Sequence, residues 1–301
     1  MGKQIFTNEI ILSWLQYFAK NSDIDLEKVK MLDITGKNKN LIPAVESNRA
    51  VLVFTQAGQP DVFYRMWNAG LGECEVWYNE GSEPVGEMKH DKVKDMINHG
   101  INAFAGMLVL NPDARNTYKI GMDNKYFSRG SIHYVGSEIR AVILNKMHVG
   151  LQDDICVISG ESIAIEAAII ASEGSVLAVE YNRNDRATME ENIENFGLHN
   201  IEIIDHVDEE TMKGRPVPSL VFLVASASME KEIECLLEIN PKIEIVVYTL
   251  DFVVAANLPK KLEKYGMKNV DVIQIAVSRL TPKNSFTQEP APWLICANAA
   301  N

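Results

Sequence analysis

The sequence predicts an α/β protein in which strands alternate with helices and pair mostly in parallel. Three observations carry this. Short apolar runs alternate with helical stripes along most of the chain. The run Ile155-Cys156-Val157-Ile158 passes through Ser159-Gly160-Glu161-Ser162 into a helix at Ile163, and Ser175-Val176-Leu177-Ala178-Val179 then ends on an acid, Glu180. That order of strand, turn, helix, strand and acid is how a nucleotide-cofactor sheet is built, because the turn and the helix N-terminus line a crevice at the strand ends. Last, Val270–Val277 and Trp293–Ala297 read as an antiparallel pair appended to a parallel sheet.

In the first region, Ile10, Ile11, Trp14, Leu15 and Phe18 fall at helical spacing. Strands are expected at Val29–Ile34 and at Ala50-Val51-Leu52-Val53-Phe54, the latter buried on both faces by its composition. A turn at Gly58-Gln59-Pro60 leads into a helix through Phe63, Met66 and Trp67 that Gly70 stops. A strand at Cys74–Tyr78, a helix near Lys89–Asn98 and a strand at Met107–Leu110 complete the region.

Asn111–Ser131 is rich in turn residues and poor in periodicity, and it marks a linker. A boundary near residue 125 gives two domains, 1–124 and 125–301. The second opens with a helix over Ser137–Met147 with Ser137 as its cap. A further helix covers Asp185–Phe196 and stops at Gly197. Strands follow at Ile201–Ile204, Leu220–Val224 and Ile243–Tyr248, and Met229, Ile233, Leu236 and Leu237 form a helical stripe between the last two. Phe252–Tyr265 is also expected to be helical, kinked or divided by Pro259. Trp14, Trp67 and Met189 are assigned to the core.

Composition narrows the possible functions. The 301 residues are 47% apolar and 23% charged, the balance of a folded globular protein. A formal charge of −12 argues against a nucleic-acid partner, which needs a basic surface. Cys74, Cys156, Cys235 and Cys296 form no C-x-x-C pair and the histidines no H-x-x-x-H, so no metal site is expected. The N-terminal residues lack a continuous apolar run, and no stretch is long enough to span a bilayer, which points to the cytoplasm.

Several segments carry a family resemblance. Ser137-Glu138-Ile139-Arg140-Ala141-Val142-Ile143-Leu144, Ile165-Glu166-Ala167-Ala168, Val179-Glu180-Tyr181-Asn182, Glu191-Asn192, Phe196-Gly197, Asn200-Ile201-Glu202, Val277-Ser278-Arg279 and Pro292-Trp293-Leu294-Ile295 resemble the decarboxylating half of the precorrin-6Y C5,15-methyltransferases of cobalamin biosynthesis. The resemblance implies a seven-stranded Rossmann-like methyltransferase domain, S-adenosylmethionine as cofactor, a tetrapyrrole substrate and homo-oligomers. Residues from about Asn8 to Leu110 resemble the C-terminal lobe of the companion C5-methylase, a smaller α/β domain amounting to half of a tetrapyrrole methylase. The opening glycine motif and glycine-aspartate-proline segment of that enzyme's other lobe do not occur before Phe54, so the C5 site is not expected to assemble from this chain alone.

The same resemblance assigns cofactor contacts to Ser159, Gly160, Glu180, Tyr181, Asp208 and Ala225, and a substrate carboxylate to Arg279. It names no catalytic side chain. Glu180 is either the acceptor for two ribose hydroxyls or a surface acid at a strand end. Asp205 or Asp208 is either an adenine-side acid or part of a solvated turn, and Arg279 either a bidentate carboxylate ligand or a solvated arginine.

The chain departs from the family at the first turn. The family has an acid at the strand end followed by three glycines at alternate positions. Here the strand end is Ile158 or Ile155, depending on alignment, and only Gly160 remains, while Glu161 adds a carboxylate where the cofactor's own carboxylate is expected. Two functions therefore stay open. One is a precorrin methyltransferase that transfers methyl from S-adenosylmethionine with decarboxylation. The other is a catalytically degenerate relative acting as a tetrapyrrole-binding or structural subunit.

Overall fold

Strand β2 (Ala50–Phe54) is buried at all five positions because helices cover both faces of its sheet. In the computed structural model, which describes residues 7–35, 40–55, 61–79, 81–98, 106–115, 120–130 and 135–299, the chain forms two compact units. The first comprises Met1–Tyr118 with Glu194–His199, and the second Lys119–Ile193 with Asn200–Asn301. The predicted turn at Gly58–Pro60 lies outside the described residues.

In the first unit, β1 (Val29–Asp33), β2, β3 (Glu75–Tyr78), β4 (Lys89–Lys92) and β5 (Gly106–Leu110) pair in the order β1-β2-β5-β3-β4. Helix α1 (Asn8–Asn21) lays Trp14, Tyr17 and Phe18 on Ala50, Leu52, Phe54 and Leu108. Helices α2 (Leu41–Ser47) and α3 (Asp61–Met66) cover Val51, Val53 and Val109 on the opposite face. The period-two alternation of a strand thus sends neighbouring β2 residues into two separate cores. As expected, α3 gives out near Gly70, which takes φ 82 inside a wider turn over Trp67–Leu71.

Three expectations for this unit are corrected. Only β1 and β2 are parallel; the pairings of β5 with β2 and β3, and of β3 with β4, are antiparallel. The helix expected near Lys89–Asn98 is instead strand β4 followed by a short 3-10 turn over Val93–Asp95. The spacing of Val93 and Met96 imitates a helix, but both side chains belong to the core around that turn. Trp67 is 44% exposed and is not a core residue, unlike Trp14 and Met189, which are fully buried.

The second unit contains the predicted seven-stranded sheet, in the order β11-β14-β10-β9-β6-β7-β8. Its strands are β6 (Asp154–Ile158), β7 (Ser175–Val179), β8 (Ile201–Ile204), β9 (Leu220–Val224), β10 (Glu244–Thr249), β11 (Lys268–Gln274) and β14 (Trp293–Asn298). Strand β14 runs antiparallel to both β10 and β11, as expected of the final pair. The connection between β11 and β14 forms its own ribbon of β12 (Ser278–Leu280) and β13 (Phe286–Gln288).

Helices α4 (Ser137–Met147), α5 (Glu161–Ile170) and α6 (Arg183–Phe196) follow the expected order, with α5 against β6, β7 and β8 and α4 against β9 and β10. Helices α7 (Glu209–Met212), α8 (Met229–Ile239) and α9 (Phe252–Lys264) cover the other face, where Met212, Ile233, Leu236 and Leu258 pack with Cys156, Ile158, Val221 and Val247. The cap of α4 is Gly136 rather than Ser137, whose hydroxyl donates to Glu138 at 3.0 Å. Pro259 does not divide α9, which runs unbroken past it; only the hydrogen bond to the Ala255 carbonyl is forgone.

Candidate functional site at the ends of the parallel strands

The strand order reverses between β6 and β9. From β6 the chain moves outward through β7 and β8, and it then returns to β9 on the other side and continues to β10. In open α/β sheets such a reversal leaves a crevice beyond the carboxyl ends of the strands, because the flanking connections diverge to opposite faces. The turns after β6, β7 and β9 therefore define where a ligand would sit.

The β6 turn is tight. Ile158 pairs with Val179, and the Ser159 N–H donates to the Val179 carbonyl at 3.0 Å. Ser159 is held at φ 55, a conformation that a glycine adopts more readily. Gly160 is required for packing: a Cβ there would stand 2.7 Å from Val157 Cγ1 and 2.9 Å from the Phe222 ring. Helix α5 starts immediately, with Glu161 in its first turn.

Glu180 follows β7 and is 1% exposed, which rules out the surface-acid alternative. Its Oε1 is buried with no hydrogen-bond partner among the described residues. Burial pushes its carboxyl up to about 8, helped by the charges of Glu161 and Asp185. Glu161 is held up at about 7, chiefly by burial, with Asp185 and Glu191 adding repulsion and a hydrogen bond from Asn192 Nδ2 (2.6 Å) opposing it. Asn192 also ties in the segment before α4, accepting from the Ser128 N–H at 2.8 Å and donating to the Ser128 carbonyl at 3.2 Å. Glu161 Oε2 and Asp185 Oδ1 each lie 3.2 Å from the point where a Cβ on Gly130 would sit, so the two carboxyls are close neighbours.

A fourth carboxyl extends the group toward β9. The Tyr181 hydroxyl, one residue beyond Glu180, donates to Glu232 Oε1 on α8. Glu232 is 4% exposed and its Oε2 is buried without a partner. Burial and then this contact raise the phenol above its ordinary range. The Arg186 guanidinium is directed at backbone, donating to the carbonyls of Glu180 and Tyr181 at 2.8 and 2.9 Å.

Of the residues singled out from the sequence, Ser159, Gly160, Glu180 and Tyr181 come together at the ends of adjacent strands. Ala225 directly follows β9, where its N–H donates to the Tyr248 carbonyl at 2.8 Å and a turn of small residues runs to Ser228. Asp208 serves locally: it caps α7, accepting from the Thr211 N–H at 2.7 Å, and contacts His206 Nε2 at 3.0 Å. Arg279 sits on the β12–β13 ribbon and donates to Glu138 at 2.5 Å and Glu289 at 2.7 Å. Asp185 and Glu232 were not identified from the sequence. Asp185 reads as an ordinary first-turn acid and Glu232 as a polar residue beside a stripe, since nothing local records that either is buried.

Among the described residues no group of three His, Cys, Asp or Glu side chains is arranged to hold a metal, and no helix is long and apolar enough to cross a membrane.

Comparison with known proteins places this crevice in context. Crystal structures of similar fold include the following three. A precorrin-6Y C5,15-methyltransferase from Geobacter metallireducens GS-15 is 23% identical, covers 60% of this chain and 98% of its own, and superposes with a TM-score of 0.55. A precorrin 8w decarboxylase from Methanobacterium thermoautotrophicum is 17% identical, covers 59% and 100%, and gives 0.52. The C-terminal domain of precorrin-6Y C5,15-methyltransferase from Rhodobacter capsulatus is 17% identical, covers 61% and 99%, and gives 0.51. A search of curated proteins gives no match. The sequence profile of the precorrin methyltransferase domain matches residues 131–291, more than half of the chain. With that match lying over the carboxyl-lined crevice, the chain belongs to the precorrin methyltransferase domain family.

Proposed function

We propose that the second unit binds S-adenosylmethionine at the β6–β7 strand ends and methylates a precorrin, with loss of an acetate arm as carbon dioxide. The observation that carries this reading is the buried, unpartnered Oε1 of Glu180 at the end of β7. A buried acceptor without a donor costs roughly 1–3 kcal/mol, so a ligand that brings hydroxyl donors to it recovers free energy that the protein alone does not. A ribose diol is such a ligand, and an acid at this position in related folds takes that role.

The cofactor supplies an electrophilic methyl group when bound. The protein's part is to orient and to exclude water, a positioning effect rather than acid–base chemistry. Glu180 would hold the sugar. Ser159 and Gly160 would let it approach the backbone beside β6, and Tyr181 and Ala225 would border it. Toward β10, exposed Leu250, Phe252 and Val253 offer an apolar surface that suits a macrocycle. Arg279 would meet a carboxylate arm of the substrate by exchanging it for Glu138 or Glu289.

The β6 turn supports a second reading, that of a degenerate relative acting as a tetrapyrrole-binding or structural subunit. Ser159, which is not a glycine, is held at φ 55, and Glu161 brings a carboxyl into the crevice. On either reading we assign residues 1–124 to a partial tetrapyrrole-methylase-like domain and expect homo-oligomers, which sedimentation analysis would report. A thermal-shift titration separates the two readings. Ligand at 100 times its dissociation constant should add about 2.7 kcal/mol of stability. A melting temperature unmoved by millimolar S-adenosylmethionine would leave only the degenerate reading.

A further inference from the structure

We propose that Glu161 selects among adenosyl ligands, favouring those without a carboxylate over those that carry one. The inference rests on the reading of Glu180 as the sugar acceptor and adds which ligand chemistry the neighbouring turn admits.

A ligand anchored at Glu180, beyond β7, reaches the reversal point between β6 and β9 only by crossing the end of β6. The path across that end is Ser159-Gly160-Glu161. A helix N-terminus ordinarily welcomes an anion, since its free N–H groups and macrodipole present positive potential. At α5 a protein carboxyl already stands in that first turn.

The surroundings of Glu161 do not neutralise it. Among the described residues the only hydrogen bond it accepts is from Asn192, and the charges that raise it are those of Asp185 and Glu191. Glu180 faces it and is repelled by it. Of the two arginines that follow Glu180, Arg183 is exposed and Arg186 has its guanidinium on backbone carbonyls. A ligand carboxylate entering here adds one more negative charge to a group of partly desolvated acids, whereas an ammonium or sulfonium enters an attractive field. Near neutral pH Glu161 is partly ionised, because burial holds its carboxyl at about 7. Discrimination should therefore grow as pH rises through that value.

S-adenosylmethionine and its decarboxylated analogue, S-adenosyl-3-methylthiopropylamine, differ only in the carboxylate and are the probes of choice. Both are titrated calorimetrically into the full chain and into Glu161→Gln, at about pH 6 and about pH 8. Glu161→Ala replaces the glutamine variant should the latter fail to show a cooperative melt. The expected result is an analogue that binds about tenfold or more tightly than S-adenosylmethionine at the higher pH, a smaller gap at the lower pH, and in the variant a smaller gap at the higher pH with a weaker pH dependence, the remainder coming from Glu180. Binding of S-adenosylmethionine to the variant alone would support the proposal equally. Equal affinities at the higher pH, or a gap unchanged by the substitution, would overturn it while leaving the methyltransferase reading in place. Failure of both ligands to bind either protein would overturn the adenosyl site itself.

Discussion

Arg140 on α4 and Glu166 on α5 form an ion pair in which the side chains are 0% and 2% exposed. Glu166 also accepts the N–H groups of Gly121 and Met122 at 2.7 and 2.9 Å, and Arg140 donates to Asn124 Oδ1 at 3.1 Å and to the Val135 carbonyl at 2.9 Å. The pair thus fastens the segment that precedes α4 to the helices behind β6. Removing one partner strands a buried charge. Arg140→Ala should lower stability by about 3–5 kcal/mol in urea unfolding, and replacing both residues by apolar ones of similar volume should recover most of the loss.

Stability should fall between weakly acidic and weakly alkaline pH, and Glu180 is a principal cause. Its folded-state value of about 8 lies above the ordinary 4.5, so the native state holds a proton that the unfolded chain releases between those values. Over that window the native state binds more protons, and raising the pH therefore destabilises it, by a few kcal/mol in total. Glu161 acts in the same direction up to about 7. Chemical denaturation across the range should show a shallower decline in Glu180→Gln than in the wild type; parallel curves would contradict the assignment.

Much of the fold is legible in the sequence wherever period and burial agree. The strands β2, β6, β7 and β9 are continuous apolar runs because both faces of their sheets are covered, and the stripe through Met229, Ile233 and Leu236 reports one buried side of α8. Strand β4 was not legible: Lys89, His90, Asp91 and Lys92 are exposed at an edge, where no core imposes alternation. The site was half legible for a similar reason. Glu180 stands out as an acid closing an apolar strand, but the burial that makes Asp185 and Glu232 part of the same group comes from elements distant in sequence.

Gly160 should resist substitution even by alanine. The added methyl would meet Val157 at 2.7 Å and the Phe222 ring at 2.9 Å, and neither can retreat from a close-packed sheet face. A loss of about 1–3 kcal/mol in denaturant melts is expected, with any ligand affinity falling in parallel.

Tyr181→Phe should expose the dependence of Glu232 on its phenol. The substitution leaves the Glu232 carboxyl without the donor it has now. A cost of about 1–3 kcal/mol follows, and Glu232→Met in the same background should restore stability. An unchanged midpoint in the single variant would mean that the phenol does not donate to Glu232 in solution.

Glu180 keeps a buried oxygen open to a ligand hydroxyl, and calorimetric titration of S-adenosylhomocysteine into the wild type and Glu180→Ala reads out that role. Saturable binding to the wild type, weakened about tenfold or more by the substitution, is the predicted result. Equal dissociation constants for the two proteins would contradict the account.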